Sequence, residues 1–158
     1  MTPAPDWFAC GRGHRLARRF GAALIIVSAL SGMSPPARLD VAVEGLRSQK
    51  GLVQLCLTRD PKHFPDCQAD PAAHRLTTPV AEAQRIAFNG LPSGDYAIAL
   101  FHDENGNGKL DTFAGIPREG IGFSRNPRLA FGPPAFDAVR FPLAGGETGQ
   151  QVKLKYFL

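Results

Sequence analysis

The strongest constraint on this chain is a period of two. In "LDVAVEGL", Leu39, Val41 and Val43 alternate with Asp40, Ala42 and Glu44, and near the end Val152, Leu154 and Tyr156 alternate with Lys153 and Lys155. Such alternation puts every second side chain on one face, which suits a strand with one buried side and no amphipathic helix. "GLVQLCLT", "QRIAFNGL", "DYAIALFH" and "AVRFPL" bring the total to six strand-like segments. The stretch "RSQKG" predicts a hairpin between the first two, "PSG" separates the next two, and "AGGETG" joins the last pair. Pro61, Pro65, Pro71 and Pro79 limit any helix near "PAAHRL" or "PVAEAQ" to a turn or two. With a seventh strand inside the long central loop, the expectation is an all-β fold, an antiparallel β-sandwich of about seven strands. In "LPSGDYAIAL", Tyr96 stands where immunoglobulin-like sandwiches place a corner tyrosine whose hydroxyl bonds nearby backbone.

The N-terminus follows a different pattern. Arg12, Arg15, Arg18 and Arg19 precede the apolar run "GAALIIVSAL", and small and turn-forming residues in "SGMSPPA" follow it. This order predicts a secretory signal peptide over residues 1–34, cleaved somewhere in 31–37, and leaves one domain over 38–158 with no stable membrane span after cleavage. The expected location is therefore outside the cytoplasm, which in a bacterium means the periplasm or the exterior. Of the 18 Lys and Arg residues those four arginines precede Ser34, as does Asp6 of the 14 acidic ones, leaving 14 against 13. A near-neutral mature chain without a basic, aromatic-interleaved patch gives no case for nucleic acid as a partner. Of the three cysteines, Cys10 goes with the signal. Cys56 and Cys67 then remain in an oxidising compartment, where a disulfide is expected over two free buried thiols or a redox pair lacking C-x-x-C spacing.

The chemistry concentrates in "HDENGNGKLDT". Calcium needs several oxygens converging from a short chain, and D-x-[DN]-x-[DN]-G supplies them on alternate residues, with glycine permitting the bend. Asp103, Asn105, Asn107 and Gly108 match; the Lys109 carbonyl and Asp111 fall at the seventh and ninth positions, and Ala114 stands at the twelfth in place of a bidentate glutamate. Half the pattern between a strand and coil is no EF-hand, so affinity should be modest and Glu119 is the candidate to close the sphere, with Glu104 as a further carboxylate. Two other readings stay open: a solvated turn in which the Asn-Gly pairs supply positive φ, and an acid/base cluster of His102, Asp103, Asp111 and Glu119. Neither a G-x-S-x-G elbow nor an H-E-x-x-H helix supports catalysis. His63 and His74 read as loop surface.

From Asp103 to about Phe136 the chain is rich in Gly, Pro, Asn and Arg, and so long a loop in a compact domain is usually functional. In "GIPREGIGFSRNP", Ile116, Ile121 and Phe123 can tuck onto the sheets. Arg118, Ser124, Arg125 and Asn126 then form either a salt-bridged packing loop or a recognition surface.

These residues carry a resemblance. "LPSGDYAIALFHDENGNGKLD", "GIPREGIGFSRNP", "FGPPAFDAVRFPL" and the final "VKLKYFL" resemble the exported bacterial family called domain of unknown function 2141, from about Leu39 to Leu158. The resemblance implies export, an immunoglobulin-like or transthyretin-like β-sandwich, and no established enzymatic activity. The expected role is a calcium-stabilised binding or structural module of the cell envelope, its partner an unidentified envelope protein or glycan. The alternatives are an envelope hydrolase using the His102, Asp103, Asp111 and Glu119 region, and a carrier of a small apolar ligand.

Overall fold

A computed structural model describes residues 36–130 and 132–158. The expected signal peptide lies outside the described residues. The elements, in order, are β1 (Ala37–Glu44), β2 (Leu52–Thr58), β3 (His74–Pro79), β4 (Ile86–Leu91), β5 (Gly94–Asp103), β6 (Thr112–Phe113), β7 (Ile116–Pro117), β8 (Gly120–Phe123), the helical turn α1 (Phe136–Val139), β9 (Phe141–Leu143) and β10 (Gly146–Lys153). Short 3-10 turns at Cys67–Ala69 and Val80–Glu82 interrupt the proline-rich stretch, as its prolines require. Among the described residues no helix is long and apolar enough to cross a membrane.

The fold is all-β. One sheet runs β10-β1-β4 and a larger one β3-β2-β5-β8, with β9 added to β5; β6 and β7 pair only with each other. Leu39, Val41, Val43 and Val152 from the first sheet and Val53, Leu55, Leu57, Ile98 and Leu100 from the second fill one shared core. The alternation seen in the sequence is thus the inward face of each sheet.

Which strands neighbour one another differs from expectation. β1 and β2 form no hairpin: they belong to different sheets, as do β4 and β5, and β9 and β10. None of these connections is a two-residue Asn-Gly or Asp-Gly turn, so nothing forces the strands side by side, and crossing to the other sheet buries the same alternate residues. β1 instead pairs in parallel with β10, from Ala37 opposite Gly146 to Glu44 opposite Lys153, so the sheets are not wholly antiparallel. The stretch around His74 is a strand on the β2 edge, not loop, and "AVR" ends α1 before β9 begins.

Central strand β5 is buried on both sides. Tyr96, Ile98 and Leu100 face the shared core, while Ala97 and Ala99 lie under Phe123, Val139, Phe64 and Phe136 in a second one. Tyr96 takes the expected corner role, its hydroxyl donating to the Pro92 carbonyl at 2.8 Å. Cys56 and Cys67 are paired, with Cα atoms 6.0 Å apart, and the loop they close delivers Phe64 to the second core.

Candidate functional site

Asp103 ends β5 on the face opposite His102, because consecutive strand residues point to opposite sides. Its carboxylate is fully buried and acts as the acceptor around which the next turn winds. Asn107 N–H donates to Oδ1 at 3.0 Å, Gly108 N–H to Oδ2 at 2.8 Å, and the Gln54 amide to Oδ2 at 3.0 Å. Burial pushes its pKa up, but Gln54 and the amides of Gly108, Asn107 and Gly106 outweigh that and hold it below the ordinary value. Gly106 and Gly108 supply φ of 72° and 73° for the tight winding.

The other oxygen-bearing side chains close on the same turn. Asn105 Nδ2 donates to Asp111 at 2.7 Å and Asn107 Nδ2 donates to both Asp111 oxygens at 3.2 Å, while Asn105 Oδ1 and Asn107 Oδ1 accept from the amides of Asn107 and Lys109. Glu119, buried, accepts from Glu104 N–H at 3.2 Å and from Asp111 N–H at 3.0 Å. It therefore clips the two ends of the loop together. Burial raises its pKa, those two amides oppose the shift, and the nearby charges of Asp103 and Asp111 add to it.

Behind the loop lies a network that the sequence does not announce. His102, fully buried, meets the Lys50 carbonyl through Nε2 and the Tyr156 hydroxyl through Nδ1, both at 2.7 Å. The carbonyl can only accept, which places the proton on Nε2 and leaves Nδ1 to accept from Tyr156. Arg47 N–H donates to the Tyr156 oxygen at 3.2 Å, and the Arg47 guanidinium covers the Tyr156 ring at 4.5 Å. The same guanidinium bonds Glu104 from Nε at 2.9 Å, the Arg118 carbonyl at 3.0 Å and the Leu158 carbonyl at 2.7 Å. Glu104 is held below the ordinary carboxylate range chiefly by Arg47. Gly120 makes room: a Cβ there would sit 2.4 Å from the Tyr156 ring.

The structure thus gathers Asp103, Asn105, Asn107, Asp111 and Glu119, and turns the His102 ring away from them. Arg118, Arg125 and Asn126 are exposed, but Ser124 is withdrawn from any recognition surface. Its hydroxyl accepts from Ile98 N–H at 3.0 Å and donates to the Val139 carbonyl at 2.7 Å. Asn126 stands in for a strand on the β10 edge, donating to the Gln151 carbonyl at 2.9 Å and accepting from Lys153 N–H at 2.7 Å. Gln54, Arg47 and Tyr156 escape a linear reading because β2–β5 pairing brings the first to the loop and side-chain bonds across the fold bring the other two.

Chemically the loop is a cluster of hard oxygens. Among the described residues no three His, Cys, Asp or Glu side chains assemble as a metal site. The donor set suits a hard cation better, since it combines carboxylates with the amide oxygens of Asn105 and Asn107 and the Lys109 carbonyl. Neither a curated protein nor a solved structure matches the chain. A family profile does, over residues 41–151, spanning both sheets and the whole Asp103–Glu119 loop. The chain therefore belongs to the family of uncharacterised proteins conserved in bacteria, DUF2141.

Proposed function

We propose that the chain is an exported, immunoglobulin- or transthyretin-like β-sandwich that serves in the bacterial envelope as a calcium-stabilised binding or structural module. One observation carries the reading: the first aspartate of the D-x-N-x-N-G run accepts the amides at its fifth and sixth positions, which curls the run into one turn and supports a common centre for its alternate side chains. Asn105 and Asn107 already reach Asp111 beside it, donating to its carboxylate through their Nδ2 amides. A divalent ion there would draw oxygens from Asp103, Asn105, Asn107, Asp111 and the Lys109 carbonyl. Glu119 would hold the loop ends from behind. The basic, apolar and small-residue order of the N-terminus supports export, and a paired Cys56 and Cys67 suits an oxidising compartment.

Calorimetric titration with calcium tests this. The expected result is saturable heat with a Kd of roughly 10⁻⁴ to 10⁻³ M and a higher melting temperature at millimolar calcium. Asp111→Asn should weaken both while leaving the fold intact. If the full chain gives no heat and no melting shift at millimolar calcium, the metal reading is overturned.

A further inference from the structure

All the large hydrophobic side chains left exposed among the described residues lie in two short segments. Phe113 and Ile116 belong to the β6–β7 ribbon that follows the Asp103 turn, with Leu110 just before it, and Phe157 and Leu158 belong to the chain's last stretch. Phe113 is the most exposed, at 67%. It sits directly opposite Ile116 in the β6–β7 pairing, so the two side chains stand together on one face of the ribbon. Ala114 and Gly115, with φ of 49° and 78°, form a two-residue turn of the kind that matches strand twist. The ribbon joins neither main sheet, and none of its residues enters either core. Arg47 bonds both the Arg118 carbonyl at the ribbon's foot and the Leu158 carbonyl, bringing the two apolar segments to one end of the molecule.

Charge selects the occupant. Lys109 and Arg118 flank the ribbon, exposed, and neither is ion-paired with a described residue. Lys155 lies over Phe157, its Nζ 5.2 Å from the ring centre. Behind these cations stand the carboxylates of Asp103, Asp111 and Glu119, which offset them while the loop holds no ion. One divalent cation would tip the balance to positive. An exposed apolar pair flanked by exposed cations matches a surface that is apolar a few ångströms down and anionic at its face, as a bilayer is. A folded protein partner would instead call for a shaped groove or flat patch.

We propose that this end of the molecule, with Phe113 and Ile116 as its apolar tip and Lys109 and Arg118 as its basic collar, docks onto an anionic lipid surface when calcium occupies the Asp103 loop. The proposal rests on the calcium reading above, and its test separates the two. The full chain is sedimented with phosphatidylglycerol–phosphatidylcholine vesicles and with phosphatidylcholine vesicles alone, in about 1 mM calcium or in EDTA. Binding is expected only with anionic vesicles in calcium, and Phe113→Ser/Ile116→Ser should lower it about tenfold or more. That variant should keep the calcium heat and the melting temperature, since the replaced side chains are exposed. Calcium heat without vesicle binding, equal binding to both vesicle types, or binding unmoved by the double substitution would overturn the docking and leave the metal reading standing. Absence of calcium heat would overturn both. Dimerisation of the chain that depends on Phe113 would assign the tip to a second copy and overturn the lipid surface.

Discussion

Two loops of this protein are each built on a buried aspartate, and they are closed in different ways. In the segment after β2, Asp70 accepts from the Thr58 hydroxyl and the Ala72 amide, Asp60 from the Lys62 amide, and the Cys56–Cys67 bond shuts the loop. After β5, Asp103 collects the Asn107 and Gly108 amides and Gln54, and Glu119 clips the ends, with no covalent closure. The first loop needs nothing further. The second buries Glu119, and that burial, with the nearby charges of Asp103 and Asp111 adding to it, raises the Glu119 pKa. A disulfide removes conformational freedom without adding charge, whereas carboxylates and amides organise a loop at the cost of gathering negative charge.

Removing each organiser should separate the two designs. Asp103→Ala takes one buried acceptor away from three or more donors, so the expected loss is about 3 kcal/mol in chemical denaturation. Asp70→Ala removes an acceptor from two donors in a loop that stays covalently closed, and should cost clearly less. Equal losses would break the contrast. Replacing Cys56 and Cys67 with serine should cost about 2 to 3 kcal/mol, the chain-entropy value for so short a loop. It should leave any calcium-induced melting shift unchanged, because the Asp103 turn contacts neither cysteine.

The two loops were not equally legible. D-x-N-x-N-G names Asp103, Asn105, Asn107 and Gly108 in one glance, since the ligand and turn chemistry lies within consecutive residues. The alternation of Leu39, Val41 and Val43 names buried positions equally well. It does not name neighbours: period two is the same whether the next strand lies beside β1 or across the core from it, and so β10, at the far end of the chain, came to pair with β1 instead of β2. Whether Ser124 packs or lies at a surface is open in the sequence for the same reason. Its partners, Ile98 and Val139, are distant in sequence and meet it only once β5, β8 and α1 are assembled. The Arg47, His102 and Tyr156 network likewise exists only because Gly120 lets Tyr156 lie against β8.

The smallest expected effect, a pH response, is also the sharpest test of the contrast. Asp70 and Asp103 both have lowered pKa values. The stability they contribute is present above the ordinary aspartate value and is lost as pH falls below about 4. Glu119 has the opposite sign. Its pKa in the folded chain is raised, so its contribution is full below the ordinary glutamate value of 4.5 and is lost as pH rises through the folded pKa. In EDTA the melting temperature should therefore climb as pH falls from neutral toward 4.5, before falling in stronger acid. Glu119→Gln should flatten the climb and keep the acid fall, which belongs to the aspartates of both loops. A cation beside Asp103 and Asp111 offsets the charges that help raise Glu119, so calcium should shrink the climb in the wild-type chain. A climb of the same size with and without calcium would mean that no ion enters the loop Glu119 closes.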